Sequence, residues 1–480
     1  MDLSRNWIPE NVKTIHLIAV CGTGMGALAC MLKDLGYQVT GSDQKVYPPM
    51  SSFLAQKGVA VCNGYQPENV AYGPDLVVVG NAVPRENPEA VKMFEMGLNF
   101  CSMPQALNHF VAADKKILLV SGTHGKTTTS SILAWLLLSA GYDPSFMIGG
   151  ILKNFDSNYR LGKGGYVVIE GDEYDTAFFD KGPKFMHYDP EIAILTSVEF
   201  DHADIFTDLS HVISIFDTFI SGLSEDSLLM AFNEDDIINR LLVRPRCRIE
   251  RYGSRCASHE TQAGADWYLD PIAMDPPFTS FNVFKHGELF NTFKTNLPGA
   301  HNLCNATAAI AVAGRLKIPP DAIAHGLETF EGVKRRQEIR GEKRGITVMD
   351  DFAHHPTAVR ETIKAVKALY ADRRLVAVFE PRTNSSMRSV FQQDYPLAFD
   401  AADVVCIRKP PLLEKIPVDD RFSSEQLVDD LEHRGKDAHY FPDTEAIIDY
   451  LCDTARPGDM ILVMSNGGFD NIHARLLDAL

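Results

Sequence analysis

The sequence predicts an α/β protein of three domains, each built on a largely parallel sheet covered by helices. Short β-branched runs alternate with longer helical patterns along most of the chain, which is typical of this class. At roughly 100 to 200 residues per domain, the 480 residues correspond to about three domains. The pattern restarts twice, so we place the domains at residues 1–112, 113–332 and 333–480.

The first section carries a Gly-rich segment between a strand and a helix. A strand near Ile15–Val20 precedes Gly22-Thr23-Gly24-Met25-Gly26, a helix is predicted over Ala27–Leu35, and the next strand ends at Gly41-Ser42-Asp43. A further strand near Asp75–Val79 fits the same sheet. An acidic residue about 20 residues after such a turn nearly completes the dinucleotide fingerprint, although the glycine spacing departs from it. The segment predicts a diphosphate-binding turn, with a ligand-free turn or an NAD-dependent oxidoreductase as alternatives.

The second section opens with a phosphate-loop pattern. Gly122-Thr123-His124-Gly125-Lys126-Thr127-Thr128 follows the apolar strand Lys116–Val120 and begins a helix predicted over Lys126–Ala140. Backbone N–H groups of such a loop surround phosphate oxygens, and the helix N-terminus adds positive potential. Lys126 is suited to reach the β and γ phosphates, and Thr127 to bind Mg²⁺.

Acidic clusters end two further strands of the second section. Glu170-Gly171-Asp172-Glu173 follows a strand at Tyr166–Ile169, and Glu199-Phe200-Asp201-His202-Ala203-Asp204 follows one at Ile192–Thr196. Because the carboxyl ends of parallel strands share one edge, we expect these groups to face the phosphate loop. A carboxylate and an imidazole there are suited to hold Mg²⁺. A solvated acidic loop is the alternative, which the neighbouring phosphate loop disfavours.

Two parts of the chain complete the predicted architecture. The stretch from Cys256 to Thr295 is aromatic and poorly periodic, so we predict a strand-and-loop excursion of the middle domain. After Arg335-Arg336 the third section begins, with predicted strands at Ile346–Met349, Leu375–Glu380, Val404–Ile407 and Met460–Met464.

Charge and hydropathy exclude two classes of partner. With 46 Lys+Arg against 63 Asp+Glu, the net charge is −17, which opposes binding to nucleic acid. No apolar run approaches the roughly 18 residues that a membrane span needs, and the N-terminus lacks the layout of a secretion signal. We therefore expect a cytoplasmic protein without stable membrane association.

Six segments resemble the Mur ligase family, in order and over nearly the whole chain. They are GTHGKTTT at Gly122, EGDEYD at Glu170, EFDHAD at Glu199, GAHNLCN at Gly299–Asn305, the Arg335-Arg336 pair and DDFAHHPT at Asp350–Thr357. The resemblance implies the three-domain Mur ligase architecture: a Rossmann-like N-terminal domain that binds UDP, a central P-loop ATPase domain with a parallel sheet, and a Rossmann-like C-terminal domain that binds the incoming peptide.

Within the family, four further segments are similar to the branch that acts in murein recycling. They are GSDQKVYPPMS at Gly41–Ser51, EYDTAFFDKGPKFMHY at Glu173–Tyr188, EPRTNSSM at Glu380–Met387 and MSNGGF at Met464–Phe469. The resemblance implies ATP-dependent, ADP-forming ligation of UDP-N-acetylmuramate to the tripeptide L-Ala-γ-D-Glu-meso-diaminopimelate through an acyl phosphate, with Mg²⁺. The branch that adds free L-alanine in peptidoglycan biosynthesis is the alternative, and a non-catalytic nucleotide-gated binding module is a more distant one.

The resemblance also implies roles for individual residues. Lys126, His202 and Arg336 would be catalytic, and Thr127, Glu170 and His202 would bind Mg²⁺. The ATP contacts would be Gly122, Thr123, His124, Gly125, Lys126, Thr127, Thr128, His301, Asn302, Arg336 and Asp351. The UDP-substrate contacts would be Gly22, Thr23, Gly24, Gly26, Ser42 and Asp43. Some members carry a carbamylated lysine after the D-H-x-D segment, whereas this chain has no lysine between His202 and Arg240.

Three residues of the third section are our choice for the peptide site. Arg382, Asn384 and Asn466 carry the fork-shaped or amide donors that suit carboxylates in a mobile domain. His354 and His355 also lie in the DDFAHHPT segment, and a His pair that only caps the helix starting at Pro356 is the alternative to a functional role.

Overall fold

Three main sheets, one in each section of the chain, organise the molecule, as the sequence predicted. The structure is a computed structural model and describes residues 3–46, 50–243, 245–255 and 264–480. Residues 47–49 and 256–263, parts of two segments used in the predictions, lie outside the described residues. Within those described ranges, no helix combines the length and the apolar character needed to cross a membrane.

The N-terminal domain has a five-stranded parallel sheet in the order β3-β2-β1-β4-β5. Its strands are β1 (Thr14–Ile18), β2 (Gln38–Asp43), β3 (Ala60–Asn63), β4 (Leu76–Val79) and β5 (Phe100–Ser102). Its helices are α1 (Thr23–Asp34), α2 (Met50–Gln56), α3 (Pro88–Glu95) and α4 (Met103–Leu107). The strand order reverses at β1, between β2 and β4, where the carboxyl ends of parallel strands leave a crevice.

The predicted start of the first helix was wrong by four residues. Helix α1 begins at Thr23, and the Gly26 N–H donates to the Gly22 carbonyl oxygen at 2.7 Å. A Cβ on Gly26 would lie 2.3 Å from Met50 Sδ, so this glycine permits close packing of α2 on α1. Most of the glycine-rich segment therefore forms the first turn of α1. Within that turn, Gly26 is needed for the packing of α2 on α1.

The central domain has a ten-stranded sheet in the order β17-β16-β15-β14-β13-β12-β6-β9-β7-β8. Its strands, with the separate hairpin β10-β11, are β6 (Lys116–Ser121), β7 (Ser145–Leu152), β8 (Ser157–Arg160), β9 (Tyr166–Glu170), β10 (Asp175–Ala177), β11 (Asp180–Pro183), β12 (Pro190–Leu195), β13 (Leu228–Phe232), β14 (Arg248–Ser254), β15 (Trp267–Asp275), β16 (Phe278–Lys285) and β17 (Glu288–Thr295). Its helices are α5 (Lys126–Ser139), α6 (Leu209–Gly222), α7 (Asp236–Leu241), α8 (Ala300–Arg315) and α9 (Pro320–Glu328). The predicted excursion is an antiparallel extension of the sheet through β16 and β17, with more regular strands than the sequence indicated.

The C-terminal domain has a six-stranded sheet in the order β18-β19-β23-β20-β21-β22, parallel except for β18. Its strands are β18 (Glu338–Lys343), β19 (Ile346–Asp351), β20 (Leu375–Phe379), β21 (Val404–Arg408), β22 (Asp437–Phe441) and β23 (Met460–Met464). Its helices are α10 (Pro356–Leu369), α11 (Tyr395–Ala398), α12 (Ser424–His433), α13 (Thr444–Thr454) and α14 (Ile472–Ala479).

Strand β23 shows why the strands of these sheets have continuous apolar sequences. Met460, Leu462 and Met464 pack into the core on one face, and Ile461 and Val463 into the core on the other. A parallel strand covered by helices on both faces has no side left for water. The loops at the carboxyl ends of the strands therefore carry the polar groups.

Candidate active site

The phosphate loop lies between the two acidic clusters. It follows β6, which pairs with β9 on one side and β12 on the other. Glu170 is the last residue of β9, and Glu199 to Asp204 follow β12. The two clusters thus flank the loop at the carboxyl edge of the sheet, as predicted, although β6 separates the two strands.

Two glycines shape this loop. Gly122 and Gly125 have φ values of 126° and 80°, which side-chain-bearing residues rarely adopt. A Cβ on Gly122 would lie 2.3 Å from Thr196 Oγ1, and one on Gly125 would lie 2.5 Å from Asn305 Oδ1. Asn305, in the GAHNLCN segment, therefore packs directly on the loop. The sequence reasoning missed it, and the signal was a second asparagine three residues after Asn302.

Hydrogen bonds from Thr123 and His124 hold the loop to the segment that follows β12. The Thr123 N–H donates to the Ser197 carbonyl oxygen at 2.9 Å, and the His124 N–H donates to Ser197 Oγ at 2.9 Å. Thr123 Oγ1 also donates to the Glu199 carbonyl oxygen at 3.2 Å. Thr128 is buried in the first turn of α5. The loop therefore has a fixed backbone at the N-terminus of a long helix, the arrangement that favours phosphate.

Lys126 is directed back over the loop. Its ammonium group donates to the carbonyl oxygens of Gly122 and Thr123 at 2.6 and 3.0 Å. It also pairs with Glu173, at 3.0 and 2.8 Å to the two carboxylate oxygens, and both side chains are nearly buried. Glu173 belongs to the first acidic cluster, but the sequence predicted no role for it. It is the direct partner of the loop lysine.

Thr127, Glu170 and Arg336 meet beside Lys126. Thr127 Oγ1 donates to Glu170 Oε1 at 2.9 Å, and the Gly149 N–H donates to Glu170 Oε2 at 2.7 Å. Burial raises the pKa of Glu170, against the opposing effects of its hydrogen bonds and of Lys126. Arg336 Nη2 reaches Thr127 Oγ1 at 3.5 Å, with its guanidinium group stacked 4.8 Å from the Phe352 ring centre. A cation from the junction with the C-terminal domain therefore reaches the phosphate loop.

His202 lies in the second acidic cluster with an unusual backbone. Its φ is 54°, and its N–H donates to Asp201 Oδ1 at 2.7 Å. Its ring packs 4.4 Å from the Tyr174 ring, between centroids. Across the described parts of the chain, no hydrogen bond or ion pair joins His202 to Glu170. The structure therefore brings together Thr127 and Glu170 directly, and His202 less closely.

Of the other residues proposed near ATP, Asn302 and Asp351 are buried and His301 is partly buried. Asn302 Nδ2 donates to the Pro298 carbonyl oxygen at 2.8 Å and to Gln337 Oε1 at 3.2 Å. Asp351 accepts the N–H groups of Gln337 and Ala353 at 2.8 and 2.7 Å. His301 Nδ1 is a buried nitrogen with no hydrogen-bond partner, and burial lowers the His301 pKa to about 4. Asn302 and Asp351 thus fix the segment around Gln337 that carries Arg336, while the neutral imidazole of His301 retains a free polar atom.

The residues proposed to contact UDP have other partners in the N-terminal domain. Ser42 is fully buried and donates its hydroxyl to Glu89 Oε2, and its carbonyl oxygen accepts the N–H groups of Ala19 and Val20 at 2.9 and 3.0 Å. Asp43 accepts the N–H groups of Cys21 and Lys45 at 2.9 and 3.0 Å. Asp43 therefore fixes the turn before Gly22, while Thr23 and Gly24 lie in the first turn of α1.

The three residues chosen for peptide binding separate into two places. Arg382 and Asn466 follow the adjacent parallel strands β20 and β23, and the Arg382 side chain packs on Gly467, the residue after Asn466. Asn384 instead donates to Asp204 Oδ2 at 2.9 Å, across the border with the central domain. The structure therefore groups Arg382 with Asn466 and assigns Asn384 to the domain contact.

The alternative that His355 only caps a helix agrees with one of its contacts. Its Nδ1 accepts the Thr357 N–H at 3.2 Å, at the N-terminus of α10. The side chain is buried at the domain junction, however, and does not lie on the surface. Capping accounts for one ring nitrogen only.

The structure is that of a three-domain α/β protein with a phosphate loop in its central domain, which Arg336 reaches from the junction with the C-terminal domain. Family models match three consecutive parts: "Mur ligase family, catalytic domain" over residues 14–115, "Mur ligase middle domain" over 120–313 and "Mur ligase, glutamate ligase domain" over 335–467. The chain belongs to the Mur ligase family, whose members are ATP-dependent, ADP-forming ligases.

Three relatives illustrate the likeness. The UDP-N-acetylmuramate–L-alanyl-γ-D-glutamyl-meso-2,6-diaminoheptandioate ligase of Escherichia coli K12 is 38% identical over 97% of this chain and 98% of its own. A UDP-N-acetylmuramate–L-alanine ligase of Desulforapulum autotrophicum is 33% identical over 97% of this chain and 98% of its own. The crystal structure of a murein peptide ligase from Psychrobacter arcticus has a TM-score of 0.71 and 34% identity, covering 97% of this chain and 98% of that one.

Proposed function

We propose that this protein joins UDP-N-acetylmuramate to the tripeptide L-Ala-γ-D-Glu-meso-diaminopimelate with ATP, in murein recycling. The observation that carries the proposal is the full-length likeness to the Escherichia coli ligase of that name, at 38% identity. The likeness to an L-alanine ligase is lower, at 33%. The pair of Arg382 and Asn466 at the carboxyl edge of the C-terminal sheet supports the larger, more acidic amine substrate.

The geometry suits activation of a carboxylate by phosphoryl transfer. A carboxylate is a poor electrophile, so the γ-phosphoryl group is first moved onto it, and catalysis of that transfer is mainly positioning and charge neutralisation. Lys126 and Arg336 approach the loop from two domains and supply positive charge at one place. The tripeptide amine then attacks the acyl phosphate, and phosphate leaves. Docking of the C-terminal domain excludes water that would hydrolyse that intermediate.

The residues at the loop fit Mg²⁺. The Thr127 hydroxyl and the Glu170 carboxylate are 2.9 Å apart, and oxygen donors of this kind are those that Mg²⁺ prefers. Glu170 is also a carboxylate whose pKa burial raises, so a cation would stabilise its charge. Thr127 and Glu170 would hold the ion, with His202 as the third proposed ligand. A bound Mg²⁺ would neutralise charge on the phosphate oxygens.

The metal assignment predicts a change in the Mg²⁺ requirement. Glu170→Gln and His202→Ala should each raise the Mg²⁺ concentration for half-maximal activity by about 10-fold or more, because each removes one metal ligand. The check is a Mg²⁺ titration of turnover. Glu191→Gln is the matched control, because Glu191 pairs with Lys116 at the opposite end of the same sheet. Unchanged titrations for both site variants would remove these residues from the metal site.

The choice of amine tests the proposed function. The protein is incubated with ATP, Mg²⁺ and UDP-N-acetylmuramate, and phosphate release is measured with the tripeptide and with L-alanine separately. We expect release with the tripeptide to exceed release with L-alanine at equal concentration. Preference for L-alanine would assign the protein to the biosynthetic branch, and no release with either amine would contradict both.

A further inference from the structure

Three side chains meet where the central and C-terminal domains touch. They are His124 of the phosphate loop, Glu199 after β12, and His355 at the start of α10. His124 Nε2 lies 3.4 Å and His355 Nδ1 lies 3.6 Å from the same oxygen, Glu199 Oε2. The two imidazole rings are 4.6 Å apart between centroids. Two nitrogens and one oxygen therefore converge on one point.

We propose that His124, Glu199 and His355 form a binding site for a transition-metal ion of the Zn²⁺ type, bridging the two domains. In a tetrahedral zinc site with bonds of about 2.0 to 2.2 Å, two ligand atoms lie roughly 3.3 to 3.6 Å apart. The two separations to Glu199 Oε2, 3.4 and 3.6 Å, agree with that geometry. All three candidate ligand atoms lie within 4.8 Å of one another, so a small side-chain adjustment completes the set.

The hydrogen bonds around the cluster prepare its ligand atoms. His355 Nε2 lies 3.1 Å from the Phe200 carbonyl oxygen, which only accepts, so Nε2 carries the proton and Nδ1 keeps its lone pair. A carbonyl partner on the far ring nitrogen is the usual outer contact of a metal-bound histidine. Thr357 Oγ1 donates to Glu199 Oε2 at 2.8 Å and fixes the carboxylate. The ion would replace the weaker bond from the Thr357 N–H to His355 Nδ1.

His124 supplies an independent observation. Its Nε2 is a buried atom with no hydrogen-bond partner of acceptable geometry, although it points at Glu199. A buried polar atom without a partner costs free energy, which a metal–nitrogen bond would recover.

The charges also suit such an ion. Burial lowers the pKa of His355, with the nearby His124 acting in the same direction, so its imidazole is neutral at pH 7. Although burial opposes it, the contacts with His124, His355 and Thr357 hold the pKa of Glu199 below its usual value. A carboxylate with two imidazole nitrogens is a donor set for Zn²⁺ and similar ions, whereas Mg²⁺ prefers sites in which most ligands are oxygen atoms.

The site would act on the domain arrangement. His124 and Glu199 belong to the central domain, whereas His355 lies at the N-terminus of α10 in the C-terminal domain. An ion held by all three would fix the docked state, while turnover in enzymes of this kind requires opening to release product. Zn²⁺ would therefore inhibit without occupying the proposed Mg²⁺ site at Thr127 and Glu170.

The test is a titration of the full-length protein with Co²⁺ alone, followed by visible absorption, with Zn²⁺ added in competition. We expect one ion per chain with the intense absorption of four-coordinate Co²⁺, displaced by Zn²⁺. His124→Asn, Glu199→Gln and His355→Asn should each weaken binding by about 100-fold or more, and Thr357→Val by about 10-fold, as for the loss of an outer contact. The Asn side chain at position 355 can still cap α10, so that variant should fold.

Two control variants locate the ion. Glu170→Gln removes the carboxylate of the proposed Mg²⁺ site, and His187→Asn removes a histidine that pairs with Asp180 elsewhere in the central domain. Both should keep the four-coordinate spectrum. The proposal would be overturned if the unmodified protein gave no four-coordinate Co²⁺ spectrum. It would also be overturned if Glu170→Gln lost that spectrum, or if the three ligand variants kept it. Circular dichroism of every variant shows whether a lost signal reflects unfolding.

Discussion

Lys126→Ala is expected to lower turnover by about 10²-fold or more, the usual cost of losing one preorganised group that stabilises charge in the transition state. Lys126 stands at the N-terminus of α5 and donates to two carbonyl oxygens of the loop. ATP phosphates at this loop would come within reach of the same ammonium group. The measurement is steady-state turnover with saturating ATP, UDP-N-acetylmuramate and tripeptide.

The partner of Lys126 complicates a single substitution and also supplies the control. Glu173 is only 3% exposed, and removing Lys126 leaves its carboxylate buried without its cation. Breaking a buried pair in this way commonly costs about 3 to 5 kcal/mol of stability. The double variant Lys126→Ala/Glu173→Gln should recover most of the lost stability in thermal unfolding, but not the turnover. Turnover near that of the unmodified protein in this folded double variant would refute the role of Lys126.

Arg382→Ala is expected to weaken the apparent affinity for the tripeptide by roughly 10 to 150-fold, while the affinity for UDP-N-acetylmuramate stays nearly unchanged. The tripeptide carries three carboxylates against one in L-alanine, and a bidentate arginine contact is worth about 1.5 to 3 kcal/mol. Arg382 is one-third exposed and follows β20 at the carboxyl edge of the sheet. Saturation curves for both substrates measure the effect.

The surroundings of Arg382 indicate that this variant will fold. Arg382 Nη1 lies 3.5 Å from Glu380, but that buried carboxylate also pairs with Arg408 and accepts the Ser465 hydroxyl at 2.7 Å. Arg434→Ala is the matched control. Arg434 pairs with Asp400 and lies just before β22, at the opposite edge of the sheet. Equal losses for both substrates would indicate a closure defect, and an unchanged tripeptide curve would exclude Arg382 from the site.

Local patterns explain which parts of the site the sequence could predict. The phosphate loop was predictable because strand, glycine turn and helix are consecutive, and Gly122 and Gly125 have backbone angles that favour glycine. Glu170 was predictable because its strand ends there. The start of α1 was not, because glycines that permit packing against Met50 cannot be distinguished in sequence from glycines of a phosphate turn.

Local sequence features were enough to predict three α/β sections, the phosphate loop, the acidic groups after two strands and the resemblance to the Mur ligases. These features depend on periodicity and turn chemistry within a few residues. The folded structure was needed to show that Lys126 pairs with Glu173, that Arg336 reaches Thr127, and that His355 meets Glu199 and His124. Such contacts join residues 47 to 231 positions apart, and they depend on how the sheets order their strands and how the domains dock. No local propensity encodes that arrangement, because many chains with the same local pattern could place those side chains elsewhere.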